Sequence, residues 1–283
     1  MNPQKTAIVI DSGCDLSAAL TERYDIRVLP FHIMYPEGEY LDTTYDAMQI
    51  YARFPDEIPT TSQPSVPEIQ TMLDSLRGEG FENVLIFTIS EHLSGCYNAV
   101  RLVLSEYQGL NTFAFNTRNV SIASGLYAVW AAGQLEKGRS FAQIREDLRM
   151  QTVESKVFFY MDTLKYLEKG GRIGKVTAML GSVLHLKPII SCNEEGIYYT
   201  VAKIRGGTNG KKRIVEEAVR FCNSIEEIVT VKTGKAAEEA QTIVRMLEEK
   251  LPGQKVHYDG QIAPTLALNT GPGLIGIAIL HRR

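Results

Sequence analysis

Short apolar runs alternate with amphipathic segments through the first half of the chain. The runs TAIVID, NVLIFTIS and NTFAFN, at 6–11, 83–90 and 111–116, have the length and composition of buried strands. Stretches with a helical apolar period separate them. Strands that alternate with helices form parallel β-α-β units whose two faces are both covered. The first half is therefore predicted to be an α/β domain built around a parallel sheet.

The second half has a different order, with more strands in succession. Its strand patterns lie at 156–162, 187–191, 196–205, 226–232, 254–259 and 276–280. Consecutive strands of this kind predict a mixed sheet with helices on one side. We place the boundary near Thr152, which gives an α/β domain at 1–152 and a mixed-sheet α/β domain at 153–283.

Charge and composition exclude several classes of protein. The net charge is −3 and the sequence pI is about 6.0, so no basic field is available to hold nucleic acid or an anionic membrane. No apolar run approaches the roughly 18 residues of a membrane span, and the start of the chain lacks a secretory pattern, which predicts a cytoplasmic protein. The cysteines have no C-x-x-C spacing and no histidines at ligand spacing, so we predict reduced thiols, no metal site and no cofactor. They are Cys14, Cys96, Cys192 and Cys222.

A G-x-G-x-x-G pattern lies near the end of the sequence, at Gly271, Gly273 and Gly276. A dinucleotide fingerprint needs a strand before it and a long helix after it, but the residues that follow Gly276 have the pattern of a strand. The Rossmann interpretation therefore fails. What remains is a Gly-Pro-Gly turn between strands. It is either an ordinary tight turn or one whose backbone amides approach a ligand.

The segment RGGTNGKKR, at 205–213, lacks the requirements of a phosphate-binding P-loop. Arg205 stands where that motif needs its first glycine, and Lys212 replaces the hydroxyl residue that binds magnesium. The basic run is predicted to be a solvated helix start. The alternative is a docking surface for a partner's phosphate or acidic patch.

Hydroxyl side chains gather where strands of the first half are predicted to end. Ser12, the neighbours Thr61 and Ser62, and Ser94 all lie in such loops. Ligands of open parallel sheets bind at the carboxyl ends of the strands, and Ser94 also precedes a helix whose first amides can donate to an anion. The alternative is that these residues only cap helices and form turns. A Ser-His-Asp hydrolase is poorly supported, because LSGCY is not G-x-S-x-G.

Several short motifs occur together in one order: IDSGCDL, TTSQPS, LSGCYNA, TLKYLEKGGRIGK, LKPII, KIRGGTNGKKR and NTGPGLIG. Their combination, which runs from about residue 8 to residue 277, resembles the DegV family. The resemblance implies a two-domain α/β fold with a long-chain fatty acid buried between the domains. It also implies a partner, a separate ATP-dependent fatty acid kinase subunit that phosphorylates the bound acyl chain. The chain itself would then be a non-catalytic, lipid-binding subunit.

Matched by position, the resemblance implies which residues hold the fatty acid carboxylate. Thr61 and Ser94 match the family's carboxylate-binding hydroxyls, and Arg172 matches an arginine near the acyl head group. Asn269 stands where the family usually has a histidine, and an amide cannot become cationic to offset the charge of an acyl phosphate. We therefore predict weaker binding of the phosphorylated state, or a chain that serves no kinase. The remaining implied positions are Ser62, Gly95, the loop amides of Gly271 and Gly273, and Arg205 near the opening.

A buried carboxylate is stable only where several donors satisfy it, because its desolvation is costly. Hydroxyls, an amide and backbone N–H groups would supply short, charge-assisted bonds. Burial of the acyl tail contributes about 0.8 kcal/mol per CH2, so roughly sixteen methylenes gross about 13 kcal/mol before immobilisation costs. The segment 176–190 is predicted to line an apolar sleeve for the tail, or alternatively to pack as ordinary core. The residues predicted to form the lining are Met179, Leu180, Val183, Leu184 and Ile189.

Two other functions remain open on the sequence alone. One is a hydrolase or acyl-transfer enzyme that uses Ser94 or Cys96, the latter replacing a threonine that is common in the family. The other is a regulatory protein whose two domains close on a lipid. Neither nucleic acid nor an integral membrane contact is expected among the partners.

Overall fold

The computed structural model describes residues 2–174, 176, 186–205, 207–222 and 228–282. Within these ranges the strands are β1 (Thr6–Asp11), β2 (Ile26–Leu29), β3 (His32–Tyr35), β4 (Gly38–Leu41), β5 (Thr60–Ser62), β6 (Asn83–Thr88), β7 (Asn111–Asn116), β8 (Val153–Tyr160), β9 (Leu186–Cys192), β10 (Tyr198–Arg205), β11 (Ile228–Gly234), β12 (Val256–Gln261) and β13 (Leu274–Arg282). The helices are α1 (Ala18–Tyr24), α2 (Ala47–Arg53), α3 (Val66–Gly78), α4 (Cys96–Glu106), α5 (Ile122–Glu136), α6 (Phe141–Arg149), α7 (Lys165–Lys169), α8 (Gly207–Phe221), α9 (Ala237–Lys250) and α10 (Pro264–Thr270).

The first half forms a four-stranded parallel sheet with the order β2-β1-β6-β7. All six residues of β1 are buried, and so are five of the six residues of β6. Central strands of a parallel sheet need this burial on both faces, because helices cover both sides. The predicted parallel sheet is confirmed.

Helix α5 lies between the two large sheets, in contact with β1 and β6 on one side and with β8 and β13 on the other. Twelve of its fifteen residues are buried. A helix that is apolar on nearly all sides has to be enclosed by protein. α5 therefore supplies core side chains to both sheets.

The second half forms a six-stranded sheet with the order β10-β9-β8-β13-β11-β12. β11 and β12 pair in parallel, and the other neighbours pair antiparallel, so the predicted mixed sheet is confirmed. Alternate residues of β13 enter two cores: Ile275 and Ile277 pack with α8 and α9, whereas Leu274 and Ala278 belong to the core that includes α5. Helices of the second half cover one face, and α5 from the first half covers the other. β8 begins at Val153, and the division into 1–152 and 153–283 stays a prediction.

Two short elements depart from the sequence-based expectations. Thr60–Ser62 forms β5 instead of a loop, and it pairs with β3 at the edge of a three-stranded sheet, β4-β3-β5. The Gly-Pro-Gly turn follows the helix α10, which no sequence pattern predicts, and leads into β13. The prediction of a turn between two strands is therefore wrong. α10 packs against α2 and α7 and is buried on nearly every side. Burial of this kind removes the alternation of polar and apolar residues that would indicate a helix.

Candidate functional site

A cavity of about 280 Å3 lies where stretches from both halves of the chain meet. β5 and the loop between β6 and α4 contribute from the first half, and β10 and α10 contribute from the second. Its volume is close to the lower end of the roughly 300–1,000 Å3 that is typical of small-molecule sites. Of the predicted site residues, the cavity brings together Thr61, Ser62, Ser94, Gly95, Arg172 and Asn269.

Two hydroxyl groups in the cavity wall are free to donate. Thr61 and Ser94 are both half-buried. Ser94 Oγ accepts the N–H of Cys96 at 3.2 Å, which leaves its own proton for another acceptor. Within the described residues, no hydrogen bond engages the Thr61 hydroxyl. Ser62 lies beside Thr61 and is exposed.

Gln63 also lines the cavity, although the matching of motifs to the family does not single it out. Its position inside TTSQPS is the signal that points to it. A Cβ at Gly95 would clash with Gln63 Oε1, so the glycine lets this side chain approach the start of α4. Tyr198 and Thr265 line the cavity as well, and both lie outside the short motifs.

Asn269 reaches the cavity from the last turn of α10. Its Nδ2 donates to the main-chain oxygen of Thr265 at 2.9 Å, and this bond fixes the orientation of the amide. Asn269 Oδ1 is buried near Gly170 and has no hydrogen-bond partner among the described residues. The second N–H of the amide therefore remains for a ligand.

Gly271 and Gly273 do not line the cavity, contrary to the prediction that their amides hold the ligand. The Gly271 N–H donates to Ala267 O at 2.9 Å, and the Gly273 N–H donates to Gly234 O at 2.7 Å. Gly271 has a φ of +72°, and a Cβ there would clash with the Tyr166 ring. The loop thus fastens the end of α10 to β11, and its amides are already used.

Arg172 is the only cationic side chain among the described residues that line the cavity. It is exposed, and its Nη1 donates to the main-chain oxygen of Gly170 at 2.6 Å. Burial raises the pKa of the neighbouring Tyr198 well above its usual range, and the Arg172 charge opposes that rise. The side chain of Arg205 lies outside the described residues, so its place near the opening stays a prediction.

The rest of the cavity lining is largely apolar and comes mainly from Phe31, Ile89, Leu93, Val120 and Leu266. A smaller chamber of about 30 Å3 adjoins it. The two spaces share four lining residues, Val120, Tyr198, Leu266 and Thr270. The chamber lies between the start of α5 and strands of the mixed sheet. The chamber therefore lies against the apolar wall of the cavity, on the side towards the core.

The predicted sleeve contributes little to this lining. Met179, Leu180, Val183 and Leu184 lie outside the described residues. Ile189 is fully buried in the core cluster that α8 and α9 share with Phe158, so its prediction as a sleeve residue is wrong. In β9 it is the neighbour Ile190 that belongs to the core on the side of α5. Successive residues of a strand point to opposite faces, which explains the difference.

Two buried aspartates from the first half hold α10. Asp15 Oδ1 accepts the Ala263 N–H at 2.8 Å, at the start of the helix, and lies 3.1 Å from Lys232 Nζ. Asp42 Oδ2 accepts the Thr265 hydroxyl at 2.7 Å. Burial raises the pKa of Asp42 to about 6, and it raises the pKa of Asp15 against the opposing charge of Lys232. No sequence pattern separates these aspartates from ordinary turn residues.

Neither Ser94 nor Cys96 has the surroundings of a catalytic nucleophile. Cys96 is fully buried, and burial together with the Asp11 carboxylate raises the pKa of its thiol well above the usual range. No histidine occurs among the described residues that line the cavity, so Ser94 has no imidazole base there. The enzymatic alternative has no support from this geometry.

None of the helices in the described part of the chain has both the length and the apolar character that a membrane span requires. Across the same residues, no group of three or more His, Cys, Asp or Glu side chains is arranged to hold a metal ion. Within the described residues, the structure assigns no disulfide to Cys14, Cys96, Cys192 or Cys222.

Comparison with known proteins gives one consistent match. A family model described as "Uncharacterised protein, DegV family" matches residues 5–282. A DegV domain-containing protein of Clostridium acetobutylicum is 35% identical over 280 residues, which cover 99% of this chain and 100% of that relative. A second relative, from Clostridium perfringens, is 34% identical over 277 residues and covers 98% of each chain.

Solved structures extend this match to three dimensions. A DegV family protein from Thermus thermophilus, described by its fatty acid binding, superposes with a TM-score of 0.87 at 25% identity, over 99% of each chain. A stearic acid-binding protein from Eubacterium ventriosum superposes with a TM-score of 0.87 at 29% identity, over 98% of each chain. The fold described above is therefore shared with proteins that bind fatty acids.

Proposed function

The chain belongs to the DegV family, and we propose that its cavity holds a long-chain fatty acid with the carboxylate at Thr61, Ser94 and Asn269. The observation that carries this proposal is the convergence of these three side chains on one space. They come from β5, from the loop before α4 and from α10, elements that lie far apart along the sequence. A chance gathering of turn residues would not bring them together.

The chemistry of these groups suits a carboxylate. The Ser94 and Thr61 hydroxyls and the second N–H of Asn269 are free to donate, and Gln63 adds a further amide. A carboxylate without such donors would pay a large desolvation cost in an enclosed site. Charge-assisted bonds to neutral donors offset that cost without adding another buried charge. The exposed guanidinium of Arg172 contributes attraction from the cavity wall.

The apolar remainder of the cavity suits the acyl tail. Phe31, Ile89, Leu93 and Leu266 supply aliphatic and aromatic surface beside the polar groups. Each methylene that leaves water for such surroundings contributes about 0.8 kcal/mol. Tail burial would therefore determine most of the affinity, and the polar groups would determine the orientation of the acid.

We further propose that the chain acts in the cytoplasm as a carrier that presents the carboxyl end to a separate, ATP-dependent kinase subunit. Arg172 is exposed next to the proposed head-group site, so a partner can reach this part of the molecule. The amide of Asn269 lacks the charge that a histidine would offer an acyl phosphate. Transfer by this chain should for that reason be less efficient than with histidine.

Identification of the lipid that stays with the purified protein tests the central proposal. We expect mass spectrometry of the denatured protein to detect a stoichiometric fatty acid, and the variant combining Thr61→Val with Ser94→Ala to retain much less of it. The variant with Ser105→Ala on the exposed side of α4 is the matched control for loss of a hydroxyl. A protein that carries no fatty acid, and binds none when it is added, would rule the proposal out.

A further inference from the structure

Gly276 occupies an unusual place for a glycine. It lies within β13, between Phe159 of β8 and Lys232 of β11, in the six-stranded sheet. Its backbone is not in the left-handed region, so its conformation does not call for glycine. Glycine inside a strand is destabilising, and it often marks a place where a ligand comes close.

No packing contact accounts for this glycine either. A Cβ built at Gly276 would meet no atom within 4 Å, which means that the position opens onto empty space. The neighbours on the same face of the strand, Leu274 and Ala278, are both packed in the core. On this face of β13, the empty space is therefore confined to the position of Gly276.

The empty space is the small chamber beside the main cavity. Gly276 lines it together with Val157 and Phe159 of β8 and Leu274 of β13. Lys232 also lines the chamber, and it lines an outer cleft of about 410 Å3 as well, so this side chain forms part of the wall of both spaces. The Lys232 ammonium is paired with Asp15 at 3.1 Å, which keeps this wall in place.

We propose that Gly276 sets the depth of the acyl-binding tunnel and thereby the longest chain that binds well; this inference rests on the proposed function. The terminal carbons of a long acyl chain occupy the space that a side chain at this position would fill. A site that holds one water molecule needs roughly 10–15 Å3. On the same scale, a chamber of about 30 Å3 has room for one or two carbon groups. The glycine thus favours long chains over chains shorter by about two carbons.

Affinity measurements with acids of graded length test this inference. Gly276→Val should weaken the binding of stearic acid by about 15-fold, as expected when two methylenes lose their apolar site. Gly276→Ala should weaken it by about fourfold, and myristic acid should bind both variants within about twofold of the parent. Ile277→Val, on the opposite face of the same strand, is the control that should leave the preference for chain length unchanged.

The stability of the lipid-free protein separates this role from simple packing. Valine is favoured in strands and fills an empty space here, so delipidated Gly276→Val should unfold at the same temperature as the parent or at a higher one. Two results would overturn the inference: an equal loss of affinity for all acids, or an unchanged preference for stearic acid in a folded variant. Neither result would contradict the proposal that the parent protein binds fatty acid. A parent protein that binds no fatty acid would instead overturn the proposed function.

Discussion

Asn269 and Thr265, one helical turn apart on α10, are joined by the bond from Asn269 Nδ2 to the Thr265 main-chain oxygen at 2.9 Å. Thr265 is itself held by Asp42, which accepts its hydroxyl at 2.7 Å. The orientation of the amide in the cavity therefore depends on an aspartate from the first half of the chain. The proposed site therefore contains a neutral amide, that of Asn269, in a fixed orientation.

Replacement of this amide by imidazole should change the response to pH. We expect Asn269→His to bind acyl phosphate about tenfold more tightly than the parent at pH 6, because a protonated ring adds a charge-assisted bond. The gain should shrink towards pH 8, since free histidine loses its proton near a pKa of about 6.5. Titration of both proteins with acyl phosphate at pH 6 and at pH 8 measures the effect. Equal affinities of the two proteins at both values of pH would contradict the argument.

Loss of either hydroxyl should weaken binding of the acid without unfolding the protein. Thr61→Val and Ser94→Ala each remove one donor to a carboxylate, and a bond to a charged group contributes about 1.5–3 kcal/mol. We therefore expect each variant to bind fatty acid roughly 10- to 100-fold more weakly in titration calorimetry. Ser105→Ala should bind like the parent. Wild-type affinity in both cavity variants would show that the carboxylate lies elsewhere.

Removal of the Lys232 charge should destabilise the fold strongly. Lys232→Met leaves Asp15 buried without its counter-charge, and the loss of one partner of a buried pair costs about 3–5 kcal/mol. Addition of Asp15→Asn to this variant should restore part of the free energy of unfolding. Lys187→Met breaks an exposed pair with Asp162 and should cost less than about 1 kcal/mol. Chemical denaturation of the parent and the three variants measures the free energy of unfolding. Similar losses of this free energy for Lys232→Met and Lys187→Met would refute the prediction.

Asp11 should make stability fall as the pH rises towards neutrality. Burial raises its pKa to about 7, although the N–H groups of Ile89 and Cys14 donate to the carboxylate and oppose the rise. A pKa that is higher in the folded state gives a stabilisation that is complete below about pH 4 and is lost as the pH rises through about 7. Asp42, with its pKa raised to about 6, acts in the same direction.

The variant Asp11→Asn isolates the contribution of that carboxyl group. The free energy of unfolding of the parent, relative to this variant, should decline by up to about 4 kcal/mol between pH 4 and pH 8. The change in this difference with pH is the readout, because the amide also alters two hydrogen bonds at every pH. Asp56→Asn on the exposed surface serves as the control. A difference that does not vary with pH would show that Asp11 titrates normally.

Sequence patterns predicted the sheets better than the small elements around the cavity. Runs such as 83–90 are apolar enough to indicate buried strands without knowledge of their neighbours. β5 has three residues in a proline-rich stretch, and its strand conformation depends on pairing of Thr61 with Ile33 of β3. α10 contains seven residues and is nearly all buried, so no polar face marks it as a helix. Both elements form through tertiary contacts, which local patterns do not contain.

The same limit applies to the site. Resemblance to a family supplied Thr61, Ser94, Arg172 and Asn269, and the structure places all four at one cavity. The prediction for Gly271 and Gly273 does not agree with the structure, because Ala267 O and Gly234 O already accept their N–H groups. The sequence does not show these two hydrogen bonds. Asp15 and Asp42 could not have been singled out, because the groups that they bind, at Ala263 and Thr265, lie 248 and 223 residues further along the chain.

The position of β13 has a consequence for synthesis on the ribosome. This strand lies between β8 and β11 although it follows both of them in the chain, so a nascent polypeptide that ends before Leu274 holds two separate sheet fragments. Their unpaired edges would be open to aggregation or to chaperones until β13 emerges. The parallel sheet of the first half can form earlier, but the proposed lipid site would be complete only after β13 has joined the mixed sheet.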